Sequence, residues 1–269
     1  MILTEISQKM TDADMFLPTV FNEGGQAPVL LICEHASNFF PAQYAMLGVD
    51  EAVISSHAAW DPGALDVARH LSDMLDAPLV AGSVSRLLYD CNRPPEARDS
   101  IPERSEVFNI PGNKNLSEAD RANRAAYIYR PFEQTVASMI SERKHLKAVV
   151  TIHSFTPVYH GMPRAVDVGI LHDADARLAN AMCEAASNTQ DLIVRVNEPY
   201  GPTDGVTHTL SEFGVKNRLF NAMIEIKNNL VSTQGEVENM AGLLELWTKT
   251  ALSGLGVQLS KGEENAPVH

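Results

Sequence analysis

Between residues 28 and 33 the chain reads PVLLIC, a run with no polar side chain, and it then breaks at once into Glu34-His35-Ala36-Ser37-Asn38. An apolar run without alternation suits a strand covered on both faces, which requires a sheet with helices packed on either side. The rest of the chain repeats the pattern. Strands are expected over 78–81, 86–89, 148–152, 166–171, 192–196 and 222–226. Between them, helical spacing of apolar residues predicts helices over Ala64–Leu75, 117–144, 174–187 and 234–252. Ser117 with Asp120 reads as a capping box, and Pro131 is expected to kink the helix it opens. The fold class that follows is α/β: a single domain over 1–269, with a mixed, mostly parallel sheet flanked by helices. Its core is expected over about 28–252, with a polar, frayed tail at 260–269.

Charge narrows the partners. Lys plus Arg number 21 and Asp plus Glu 34, a formal net charge of −13, so non-specific binding to nucleic acid is not expected. The first sixteen residues carry Glu5, Asp12 and Asp14 without a long apolar core, which does not read as a signal peptide. No window approaches the roughly 20 apolar residues that cross a bilayer. Cys33, Cys91 and Cys183 are odd in number and lack C-x-x-C spacing, which points to a reducing cytoplasm rather than a disulfide framework or a thiolate metal site. The expectation is a cytoplasmic protein acting on a small molecule, with no membrane partner.

Three of the apolar runs hold or end in groups that titrate: Glu34-His35 after the first, His153-Ser154 after AVVTI, and Glu225 within MIEI. Ligands of open α/β sheets sit beyond the carboxyl ends of the strands, so these groups are candidates for one site. His35 and His153, with Asp61 from Trp60-Asp61-Pro62-Gly63-Ala64, make a two-histidine, one-carboxylate set that suits catalytic zinc with a position left for water. Each also has a plainer reading. A lone histidine at a strand end is often a hydrogen-bonded edge residue, and Asp61 before Pro62 suits a helix N-cap. Glu225 reads either as a solvent-facing residue or as a general base acting on water acidified by a metal.

The segment 91–115 has no period and is rich in Pro, Arg, Gly and Asn, which marks a long functional or mobile loop. Arg86, Arg93, Arg98 and Arg104 cluster around it. Arg98 and Arg104 read as a solvated loop face. Arg93, followed by Pro94 and Pro95, is the candidate to grip an acidic substrate, because a guanidinium pairs with a carboxylate as a fork. His208, after the turn-rich 197–204, reads as a substrate contact on a loop or as an ordinary surface histidine. There is no G-x-S-x-G elbow, no G-x-G-x-x-G and no P-loop, and Cys33 reads as a core thiol.

Six segments in order, Glu34-His35-Ala36-Ser37, Trp60-Asp61-Pro62-Gly63-Ala64, Asp90-Cys91-Asn92-Arg93-Pro94, Ile152-His153-Ser154-Phe155, Asn197-Glu198-Pro199-Tyr200 and Ile224-Glu225-Ile226-Lys227-Asn228, together resemble the N-formylglutamate amidohydrolase family over roughly 28–250. The resemblance implies a zinc-carboxypeptidase-like fold related to aspartoacylases, and hydrolysis of an N-acyl amide on an acidic amino acid. It implies one Zn²⁺ or another divalent metal on His35, Asp61 and His153, Glu225 as base, and Asn92 with Arg93 on the substrate carboxylate. The chain departs from better-known members, which have His-Ser-Gly at His35-Ala36-Ser37 and Arg at Lys227. Two alternatives stay open: a carboxypeptidase-like enzyme on small peptides, and a non-catalytic domain that binds acidic small molecules.

Overall fold

The computed structural model describes residues 14–187, 189 and 191–259; the expected tail at 260–269 and most of the segment read for a signal peptide lie outside them. Seven strands form one sheet: β1 (Thr19–Phe21), β2 (Val29–Cys33), β3 (Leu79–Ala81), β4 (Ala148–Phe155), β5 (Val168–Leu171), β6 (Val194–Val196) and β7 (Phe220–Lys227). Their order is β1-β3-β2-β4-β7-β5-β6. The central strands β3, β2, β4 and β7 are mutually parallel. β5 runs antiparallel to β7 and parallel to β6, and β1 closes the other edge antiparallel to β3.

Side-chain alternation sorts the strands into two apolar layers. Leu31, Val150 and Ile224 face one layer, packed by α1 (Ala64–Leu75) and by two later helices, α4 (Arg177–Ala186) and α5 (Gln234–Gly254). Leu30, Ile32 and Val149 face the other, covered by Ile128, Phe132 and Val136. That second cover is a nearly continuous helix, α2 (Glu118–Arg124) and α3 (Arg130–Glu142). Ser117 and Asp120 form the anticipated capping box. Between the two halves, Ala125–Tyr129 widens by one residue per turn, and the Arg130 N–H donates to the Ala125 carbonyl five residues back. This places Pro131 in the first turn of α3, where its missing N–H costs little.

One expected strand is not there. Residues 86–89 form a turn in which the Leu88 N–H donates to the Ser85 carbonyl at 2.9 Å. Leu87, Leu88 and Tyr89 are buried, which is why they read as a strand, but β3 is flanked by β2 and β1 and offers no open edge to pair with. The turn instead directs Arg86 and Asp90 toward the ends of the central strands. Two short hairpins were also not anticipated, Arg104–Ser105 with Phe108–Asn109, and Val158–Tyr159 with Met162–Pro163. No helix among the described residues is long and apolar enough to cross a membrane.

Candidate active site

β4 alternates so that Ala148, Val150 and Ile152 face the first layer, which sends Thr151 and His153 to the opposite face. On β7 the same parity puts Ala222, Ile224 and Ile226 on the first layer and Glu225 on the side of His153. The two residues are paired in the register of the parallel strands. Glu225 is 6% exposed, so the solvent-facing reading does not hold. β2 ends one step earlier, at Cys33, and delivers Glu34 and His35 beside them. The Asp61 N–H donates to the His35 carbonyl at 3.0 Å, which brings the segment before α1 to the same point.

His35, Asp61, Arg86, Asp90, His153 and Glu225 all line one cavity of about 260 Å³. At its floor three donor atoms crowd together. His35 Nδ1 lies 3.2 Å from Asp61 Oδ2, His153 Nδ1 lies 2.9 Å from the same oxygen, and the two Nδ1 atoms are 3.2 Å apart. Asp61 therefore does not cap α1, whose N-cap is Gly63 without a side-chain bond. The far nitrogen of each imidazole faces a carboxylate: His35 Nε2 is 2.7 Å from Asp90 Oδ1, and His153 Nε2 is 3.0 Å from Glu34 Oε2. Arg86 spans the two acids, with Nη1 3.3 Å from Asp61 Oδ1 and Nη2 2.7 Å from Asp90 Oδ2.

This arrangement fits a cation. Tetrahedral zinc with bonds of about 2.0–2.1 Å holds its ligand atoms about 3.3 Å apart, close to the triangle seen here. Two imidazole nitrogens and one carboxylate oxygen facing a common point satisfy one another poorly as hydrogen-bonding groups, and a divalent ion would satisfy all three. Carboxylates behind ligating histidines fix ring orientation and raise ligand basicity, which is the role open to Asp90 and Glu34. His35, Asp61 and His153 are also the cluster of metal-binding side chains found among the described residues.

The electrostatics follow from burial and pairing. Burial alone would lower the His153 pKa, but the Glu34 and Asp61 carboxylates raise it well above its ordinary value. Burial works against ionising Asp61, yet His35, His153 and Arg86 hold it far below the usual carboxylate range. Glu225 is different. Burial pushes it up to about 7; Asp61 adds to that while His153 and Arg86 oppose it. A carboxyl poised there can take and return a proton near neutral pH.

The remaining sequence candidates separate. Arg93 lines the cavity, with Nη1 donating to the Asp204 carbonyl at 2.9 Å and lying 3.3 Å from Asp99 Oδ2. Asn92 also lines it, but its amide is engaged on both sides: Nδ2 donates to the Val206 carbonyl at 2.6 Å and Oδ1 accepts from the Thr209 N–H at 3.0 Å. His208 stands apart from the cavity-lining residues, with Nε2 2.7 Å from the Tyr129 hydroxyl. Burial pushes the Cys33 thiol up, consistent with an inert core residue. The sequence reading counts Glu34 among the titrating groups at strand ends without giving it a particular role and assigns none to Asp90, although both sit inside the quoted segments. It also left Arg86 unassigned, because the turn that aims it reads as a strand.

The chain matches the family model described as N-formylglutamate amidohydrolase over residues 27–232. It belongs to the N-formylglutamate amidohydrolase family. It is similar to the gene product Atu2144 from Agrobacterium tumefaciens, with 50% identity and a TM-score of 0.89 over 92% of this chain and 99% of that one. It shares its fold with an N-formylglutamate amidohydrolase from Ralstonia eutropha JMP134, at 17% identity and a TM-score of 0.56 over 90% of this chain and 100% of that one. No curated protein sequence matches it. The family is one of hydrolases, and all six segments quoted for the resemblance fall within the matched residues.

Proposed function

We propose that this member is a metal-dependent amidohydrolase that cleaves the N-acyl amide of an acidic amino acid. The supporting observation is the triangle of His35 Nδ1, Asp61 Oδ2 and His153 Nδ1, with Glu225 buried beside it in the same cavity. These three side chains would hold one divalent cation, with zinc the best match to an imidazole and carboxylate donor set. Bound there, such a cation supplies a Lewis acid that acidifies water and polarises the amide carbonyl.

The chain's own residues do the rest. Glu225 accepts a proton as water adds to the acyl carbon, and gives it to the amine nitrogen as the C–N bond breaks, so a carboxylic acid and a free amino acid leave. Arg86 keeps Asp61 and Asp90 charged and in place. Arg93 binds a substrate carboxylate, and Asn92 ties the 206–209 loop beside it. Unpaired Cys33, Cys91 and Cys183 suit a reducing cytoplasm as the place of action.

The test is to measure metal bound to the purified protein and to screen N-formyl, N-acetyl and N-succinyl amino acids for release of free amine. About one divalent ion per chain and turnover of acidic substrates are expected. A metal-loaded protein that releases amine from none of them overturns the reading.

A further inference from the structure

The two short hairpins meet over the cavity. Each closes on a two-residue loop: Ser105 faces Phe108 across Glu106-Val107, and Tyr159 faces Met162 across His160-Gly161. Arg104, Ser105, Glu106 and Tyr159 line the cavity. Its floor residues His35, Asp61, His153 and Glu225 are at most 6% exposed, whereas Val107 and Met162 on the hairpins are 54% and 70% exposed. The hairpins therefore stand between the buried floor and water.

The tips are joined through one carboxylate. The His160 N–H donates to Glu106 Oε1 at 2.8 Å, and Glu106 Oε2 lies 2.8 Å from Nε2 of His57, in the turn that leads to Asp61. Arg104 Nε donates to the Glu106 carbonyl at 2.9 Å. Although burial opposes it, the His160 N–H and His57 hold the Glu106 carboxyl below its ordinary value, and an ionised acceptor strengthens both bonds. Among the described residues no strand pairing joins the two hairpins, and the bond from His160 to Glu106 is the hydrogen bond between them.

Backbone conformation at the tips points the same way. Glu106 and His160 have φ of +48° and +47°, the left-handed region that glycine and asparagine favour at hairpin tips and glutamate seldom enters. Such a conformation persists where its surroundings over-determine it, and it recurs at clamps and switch regions. What over-determines Glu106 is its own side chain, held at both oxygens by other segments. A two-stranded hairpin has little stability of its own, so parting the tips costs those two bonds and little else.

We propose that Glu106 is the clasp of a two-hairpin gate: hairpins 104–109 and 158–163 part to let small molecules reach the cavity and rejoin on Glu106 to shut bulk water from Glu225. The inference rests on the amidohydrolase reading for what passes through, yet the gate is tested without metal or turnover. Ala58→Cys puts a thiol at a buried position of the cavity lining. Its alkylation by iodoacetamide is followed by peptide mass spectrometry with Glu106 intact, with Glu106→Gly and with Glu106→Gln. Glycine accepts the tip conformation and deletes the clasp, so Glu106→Gly should speed alkylation at position 58 by at least about tenfold. Glutamine still offers an acceptor to the His160 N–H and should speed it less. Amide hydrogen exchange over 158–163 should rise in Glu106→Gly while exchange over 148–155 stays as in wild type. Val206→Cys, also on the cavity lining, is the reporter if Ala58→Cys misfolds. Alkylation in the folded Glu106→Gly protein within twofold of its Glu106 parent overturns the gate, as does exchange over 158–163 no faster than in wild type. Amine release by wild type together with such unchanged rates would leave the amidohydrolase standing and remove only the gate. A tenfold rise in a protein that releases no amine supports the gate and removes the reaction.

Discussion

Glu225 lies opposite His153 in the register of two adjacent parallel strands, so a carboxyl poised near neutrality and a buried imidazole project from one face of the sheet into one cavity. Parallel pairing sets that proximity through backbone hydrogen bonds rather than through a flexible loop. Sites placed on regular elements hold their geometry more tightly than sites on loops.

Metal content is the first expectation. The purified protein should carry about one divalent ion per chain, and His35→Ala and His153→Ala should each lose it by elemental analysis. Asp90→Asn leaves all three donors in place but removes the charge behind His35, so affinity should fall by about 10–100-fold in competition with a chelator. Full metal in both alanine variants would reject the site.

Glu225→Gln should keep the fold and the metal and lose turnover by about 10²–10⁴-fold, the usual cost of removing a general base. Activity within a few fold of wild type would make Glu225 structural.

The same residue makes metal-free stability depend on pH. An unfolded glutamate titrates near about 4.3, whereas folded Glu225 is raised to about 7. A raised carboxyl pKa favours the folded state while the group is protonated, and that contribution is lost as pH climbs through the folded value. Glutamine stays neutral throughout. Stripped of metal, Glu225→Gln should therefore melt close to wild type at pH 5 and higher than wild type at pH 8, by about 1–3 kcal/mol of stability. Equal melting temperatures at pH 8 would show that Glu225 is not destabilised when ionised.

Arg93→Lys keeps the charge and loses the fork. Efficiency on an acidic acyl-amino acid should drop about thirtyfold or more, the scale on which one partner of a buried charged pair is lost. A neutral substrate assayed in parallel controls for the link to the Asp204 carbonyl. An equal loss on both substrates would assign Arg93 to the common α-carboxylate.

Gly82→Ala tests the backbone under the site. The Gly82 N–H donates to the Cys33 carbonyl, and a Cβ added at Gly82 would lie 2.1 Å from the Glu34 carbonyl oxygen. Backbone at that distance must move, which should destabilise the protein by about 1–3 kcal/mol and displace Glu34 and His35. Reduced metal content in a folded Gly82→Ala protein is the expected result, and wild-type metal and stability would contradict it.

Much of this architecture was legible because burial dictates residue type. Helix α1 is anticipated over Ala64–Leu75 because Leu65, Ala68, Leu71 and Leu75 repeat at helical spacing, and the structure buries three of these four. β2 and β4 were found because every residue in them is buried. His35 and His153 could be picked out because titratable groups at strand ends stand out against apolar runs, whereas Asp61 stands in the segment that heads a helix. Burial misled at 86–89, where Leu87 and Leu88 are core residues on a turn.

The position of β7 has a consequence for how the chain is made. The last strand of the sheet in sequence, it is inserted at the middle, between β4 and β5, so a ribosome releases β4 and β5 long before the partner that joins them exists. Until then the β4 edge that will receive Glu225 is an unpaired row of backbone groups, the kind of surface chaperones cover and aggregates recruit. The proposed base and closure of the sheet thus arrive in the same event, and a nascent chain that has synthesised His35, Asp61 and His153 still lacks both.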